Sequence, residues 1–225
     1  MPVTISFRDV SHPNLLQEFS CEIEAGSTVL CITSREEESS ALTRLITGMT
    51  RPELGSVLIN GQDLAGLEQA ELCQLRQQIA VVPSKGGLVS NLKFWENITL
   101  PLVYHNGGVT AEEEQKGLAY LERLEYTGRL MALPAHLTPY DRRVAVLVRA
   151  FLQQPRIILY CNCLDGITAD ARTAFSHAAI EFHAAAAERT SLYFTSSPEL
   201  ATLLQADRII RLNEFAETVR GHHDS

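Results

Sequence analysis

A chain of 225 residues, 45% of them hydrophobic, is long enough to bury one sizeable core. Its net charge of −8 argues against a nucleic-acid surface, which would need clustered Lys and Arg. No run approaches the roughly 18 apolar residues of a bilayer span, and the opening MPVTISFRDV has no basic-then-apolar targeting pattern. The five cysteines are Cys21, Cys31, Cys73, Cys161 and Cys163. An odd count, with three of them in apolar strand-like runs, leads us to expect reduced thiols and a cytoplasmic setting. Cys161 and Cys163 with His177 make a weak metal-ligand pattern. C-x-C on a buried strand is more often packing, and no metal is expected.

In chain order, residues 3–10 and 19–23 read as strands, and Ala25-Gly26 as a turn before a third strand, 27–32. Residues 38–47 read as a helix with Leu42, Leu45 and Ile46 on one face. A turn at 52–55, a strand at 56–60 and a tight hairpin-type turn at Asn60-Gly61 follow. Next come a helix at 67–77, a buried strand at 79–82 ended by Pro83, and a Gly/Ser-rich loop at 84–90. Residues 92–153 change character, with helices at 112–124 and 141–152 and Pro134 and Pro139 at their junction. This stretch reads as a helical subdomain inside a single domain, 1–225. Strand 156–160, helix 169–188, strand 191–195, helix 198–205 and strand 208–212 complete the alternation. The polar tail, 217–225, is expected to fray. Alternating strands and helices with short connections imply an α/β fold with a mostly parallel sheet wrapped by helices.

Residues 33–46, TSREEESSALTRLI, sit where a P-loop protein carries GxxxxGK[ST], between an apolar strand and a helix. On that frame the glycines become Thr33, Glu36 and Glu38, the lysine becomes Ser39, and Ser40 keeps the hydroxyl; Glu37 and Ala41 complete the loop. Further segments carry a family likeness. Residues 43–64 (TRLITGMTRPELGSVLINGQDL) resemble the stretch after the Walker A loop of the ATP-binding subunits of ABC transporters. Residues 88–102 (LVSNLKFWENITLPL) resemble the segment after that family's Q-loop. LTPYDRRVAVLVRAFL (137–152) stands where its signature helix would be, PRIILYCNCLDGITADAR (155–172) at its Walker B and D-loop, and YFTS (193–196) at its H-loop. The resemblance spans almost the whole chain. It implies a P-loop NTPase-like core with a mostly parallel sheet, an N-terminal antiparallel β portion and the helical subdomain.

The positions that carry the family's chemistry are replaced together. A P-loop lysine offsets triphosphate charge and glycines let backbone amides approach the oxygens. Here Glu36, Glu37 and Glu38 occupy the loop and no Lys is present. Like charges about 4 Å apart repel by ~1 kcal/mol in water and ~4 at a surface-like dielectric. The Walker B aspartate becomes Cys161, a poor partner for hard Mg²⁺, and the following glutamate becomes Asn162, which cannot take a proton from water. The Q-loop glutamine corresponds to Ser84, the H-loop histidine to Ser196 and the D-loop aspartate to Thr168. Asp165 lies beyond the strand and is not assigned to metal. In the signature, Thr138 keeps a hydroxyl, Pro139 and Tyr140 replace two glycines, and Asp141 follows. Arg142, Arg143, Val144, Arg149 and Ala150 fit a helix that packs and orients. The acidic run reads either as a solvated face or as a loop in which Glu37 or Glu38, with Ser39, occupies the phosphate seat and caps the helix.

The resemblance therefore implies a non-catalytic subunit of an ABC transport system, with ATP and Mg²⁺ expected to bind weakly or not at all. Its partners would be a membrane subunit, reached through a coupling helix on the cytoplasmic face, and an intact ATPase sister or a second copy. The docking wall would be 84–104, with Leu88, Leu92, Phe94, Trp95, Leu100 and Tyr104; most are expected in the core and two or three as exposed anchors. The ENITLPL phrase resembles subunits of lipid, lipoprotein or macrolide-type exporters and of phospholipid systems with MCE partners. Two alternatives stand beside this reading. One is a soluble regulatory or scaffold protein; the other is an ATPase whose Glu36–Glu38 and Asp165 bind metal in a new way.

Overall fold

The computed structural model describes residues 2–13 and 15–212, so the tail at 217–225 lies outside the described residues. Strands β1 (Val3–His12), β2 (Leu16–Glu24), β4 (Leu54–Ile59) and β5 (Gln62–Asp63) form an antiparallel sheet in the order β2-β1-β4-β5. A second sheet is parallel: β6 (Ile79–Pro83), β7 (Ile157–Cys161), β8 (Thr190–Thr195), β3 (Thr28–Ile32) and β9 (Arg208–Arg211), in that spatial order. The two sheets differ in sequence character for a physical reason. β2 alternates buried and exposed residues over its second half, as a half-solvated strand does, whereas β7 and β8 are buried at every position because both faces are covered.

The helices are α1 (Glu36–Ile46), α2 (Gln69–Gln77), α3 (Phe94–Asn106), α4 (Ala111–Arg123), α5 (Pro139–Leu152), α6 (Ala169–Ala184) and the single turn α7 (Leu200–Leu203). Side-chain alternation along β7 splits the interior in two. Ile158 and Tyr160 join a core with α3, α4, α5 and α6, in which Phe151 stacks on Phe182 and Tyr160 on Tyr193 at centroid distances of 4.0 and 4.1 Å. Ile157, Leu159 and Cys161 face the other way, toward α1 and the antiparallel sheet. The same strand thus anchors both halves of the molecule.

Several boundaries differ from the sequence reading. α1 begins at Glu36 rather than 38, because the Glu38 carboxylate reaches back to the Arg35 amide and closes an extra turn. α6 stops at Ala184 and the 198–205 helix shrinks to one turn. The unforeseen element is α3, a helix with Pro101 inside it. It is held by Asn97, fully buried, whose Oδ1 accepts from Val89 N at 2.7 Å and whose Nδ2 donates to Leu92 O at 2.9 Å. Gly55 has no substitute: its φ is 79°, and a Cβ there would lie 2.3 Å from Arg8 O on the paired strand.

Candidate functional site

The loop after β3 leads into α1, and its amides would meet any anion seated at the helix start. In this chain Glu38 meets them first. Its Oε2 accepts from Ser34 N at 2.7 Å and from Arg35 N at 3.4 Å, and its Oε1 lies 3.3 Å from Arg35 Nε. The carboxylate is buried, as its cage of donors requires. Thr33, also buried, donates its amide to Thr195 O and so ties the loop to β8.

One residue on, Ser39 is 1% exposed and its hydroxyl points to Asn162 Oδ1 at 2.6 Å, with Glu36 O at 2.8 Å as a second acceptor. Asn162 stands at φ 51°, a left-handed conformation that Asn tolerates, and its Nδ2 donates to Asp165 Oδ2 at 3.0 Å. Asp165 Oδ1 accepts from Thr195 Oγ1 at 2.8 Å, and Thr195 Oγ1 accepts from Ser197 N at 3.1 Å. A continuous hydrogen-bonded chain therefore crosses from α1 to the end of β8. Ser196 is exposed and lies outside it. Cys161 is buried with its thiol 3.1 Å from Thr43 Oγ1; burial raises its pKa to about 11, so it stays a neutral thiol at neutral pH.

Glu36 faces the other wall. It accepts from Ser84 Oγ at 2.7 Å and pairs with Lys85 at 3.2 Å, and these two partners hold its pKa below the usual carboxylate value. Both members of the ion pair are mostly exposed, so it contributes little to stability. Glu37, Ser40 and Ala41 line the same open cleft, about 810 Å³, with Ser39, Cys161 and Asn162. Among the described residues no group of three or more His, Cys, Asp or Glu is placed to hold a metal ion.

The signature-like residues cap α5: Thr138 Oγ1 accepts from Asp141 N at 3.1 Å and Asp141 Oδ2 from Thr138 N at 3.1 Å, with Pro139 at the first helical position. Tyr140 is half-buried beside them. Thr168 caps α6 through Ala171 N at 3.3 Å. Arg143 donates to Ser84 O, Cys163 O and Asp165 O at 3.2, 3.1 and 2.7 Å, joining α5 to both walls of the cleft. Arg143 was read only as part of a helix that packs and orients, and the roles of Thr43, Lys85 and Thr195 were not foreseen, because each acts through contacts made by distant segments. Of the six apolar residues of the expected docking wall, Phe94 is fully buried, stacked on Tyr126 at 4.4 Å, and is thereby removed as a docking side chain. Leu88, Leu92, Trp95 and Leu100 are half-buried, and Tyr104 is 82% exposed.

A parallel sheet whose strand β3 leads through a loop into α1, with an antiparallel sheet on one side and a helical layer on the other, defines an ATP-binding-cassette fold. The sequence pattern of the ABC transporter family matches residues 39–164, and the chain belongs to that family. Among its relatives, the methionine import ATP-binding protein MetN of Latilactobacillus sakei is 31% identical over 144 residues, 64% of this chain and 42% of that protein. A mitochondrial iron–sulfur clusters transporter of Danio rerio is 27% identical over 99% of this chain and 30% of its own length. The chain thus spans less than half the length of these curated relatives. Among solved structures, a dimeric bacterial ABC transporter cassette superposes with a TM-score of 0.79 at 22% identity, covering 92% of this chain and 93% of that one. The cbiO1 protein of Clostridium perfringens superposes with a TM-score of 0.76 at 12% identity, covering 94% and 85%. At such identities the likeness concerns the fold.

Proposed function

We propose that this chain is a non-catalytic, ATPase-like subunit of an ABC transport complex, seated on the cytoplasmic face of a membrane subunit and paired with an intact ATPase subunit. The observation that carries the reading is Glu38: its carboxylate takes the Ser34 and Arg35 amides that a phosphate would need. The rest of the cleft agrees with it. A neutral thiol at Cys161 and an amide at Asn162, already bonded to Ser39 and Asp165, do not suit a hard divalent cation or a water-activating base. Glu36 and Glu37 at the mouth would repel a triphosphate.

The membrane attachment is peripheral in this reading, and no helix among the described residues is long and apolar enough to cross a bilayer. The pairing follows from charge and chemistry. Two copies would bring together two loops in which Ser39 stands at the P-loop lysine position, so ATP-driven work needs a sister that keeps that lysine. For cargo, the ENITLPL phrase favours a lipid-type substrate. Steady-state ATP hydrolysis by the full chain tests the proposal: phosphate release is expected to match that of a Glu38→Ala variant and the buffer blank. Turnover clearly above that variant would instead support an ATPase with an atypical site.

A further inference from the structure

Arg143 leaves α5 just before residues 144–148, which are buried at every position, so its base is fixed in the helical core. The half-buried side chain reaches the other way, to the point where two neighbouring strands run out. β6 and β7 pair as far as Pro83 and Cys161. Just beyond that pair, Arg143 Nε donates to Ser84 O at 3.2 Å, and Nη1 donates to Cys163 O at 3.1 Å and to Asp165 O at 2.7 Å. The two departing chains then turn through left-handed residues, Gly86 and Gly87 at φ 74° and 80°, and Asn162 and Gly166 at 51° and 68°. Neither loop contains a helix or strand before α3 and α6 begin. The guanidinium thus supplies donors where the ladder has stopped supplying them.

The same two loops carry both links that cross the cleft to α1. In the first, Ser84 Oγ donates to Glu36 at 2.7 Å and Lys85 pairs with Glu36 at 3.2 Å. In the second, Ser39 Oγ donates to Asn162 Oδ1 at 2.6 Å, and Asn162 Nδ2 donates to Asp165 Oδ2 at 3.0 Å. One link ends on Ser84 and the other on Asp165, and Arg143 holds the backbone carbonyl of each. Bonds given by a charged donor are the strong kind, and a guanidinium presents its donors in one rigid plane. Acceptors seated on it cannot shift independently of one another.

We propose that Arg143 is a latch. Seated, it makes the helical layer and both cleft links one body; drawn away with the start of α5, it frees both links together. The latch rests on the cleft geometry, and its use by a docked subunit rests on the reading above. Native-state hydrogen exchange of the full chain tests it, with Arg143→Met, which keeps the apolar stem and removes the donors. Exchange is expected to rise on the order of tenfold or more in segments 36–42, 82–90 and 160–168 together, with β1 and β4 unchanged. Arg143→Lys, which keeps the charge and donors, should restore part of the protection in all three segments. Arg142→Ala, which removes a donor to Pro134 O on the same helix, should leave them as in the native chain. Should Arg143→Met fail to fold, the native chain decides: the three segments must open with one common urea dependence. Separate openings, a rise confined to one segment, a rise shared by the whole molecule, or no rise overturns the latch. Each of these leaves the non-catalytic reading standing, because ATP hydrolysis decides that one.

Discussion

Glu38 is the residue on which the cleft turns, and its replacement has a calculable consequence. Glu38→Ala removes the acceptor of two loop amides. The expected loss of stability is about 1.5–3 kcal/mol, the range of hydrogen bonds to a charged group, read as a lower Tm; Glu38→Gln should lose less. An unchanged Tm would mean that the carboxylate does not organise the loop. A second residue gives a pH dependence. His183 Nδ1 lies 2.9 Å from Ser191 Oγ and Nε2 lies 3.2 Å from Gly26 O, an arrangement suited to the neutral ring. Burial holds its pKa below the ordinary value of 6.5, so the unfolded chain takes up this proton at higher pH than the folded one. Its contribution is therefore whole above that value and is lost as pH falls below it. Urea unfolding between pH 7.5 and 5.5 should show stability falling with acidification, and His183→Gln should flatten the slope. A slope identical in the variant would assign the effect to other groups.

At the scale of elements, legibility followed how local the cause was. The Asn60-Gly61 turn was legible because its chemistry is contained in two residues; both have positive φ, 50° and 79°, in the β4–β5 hairpin. The buried strands were legible from uninterrupted apolar runs, and α1 from Leu42, Leu45 and Ile46 on one face. α3 was not. Pro101 and a nearly unbroken apolar face hide the period, and the helix exists because Asn97 ties its first turn to the loop before it while Ile98 and Leu102 enter the core. In the site, the replaced loop could be read from the missing lysine and the acidic run, and Glu38 with Ser39 was one of two readings left open. The path from Ser39 through Asn162 and Asp165 to Thr195 joins residues 39 and 195. No spacing rule brings those segments together before the sheet does.

For the whole molecule, β7 carries two cores on its opposite faces, so the fold holds without any ligand bridging its halves. In the proposed docking role, its shape would persist whether or not a sister subunit turns over ATP. In the cleft, Ser39, Asn162 and Asp165 are already paired with one another, and the acidic loop at its mouth disfavours anions. Isothermal calorimetry of MgATP against the full chain tests this account most directly. No saturable heat is expected at millimolar nucleotide, with or without Mg²⁺. A saturable isotherm that strengthens when Mg²⁺ is added would contradict it, because such binding requires Glu38 to leave the Ser34 and Arg35 amides and a cation to settle beside Cys161.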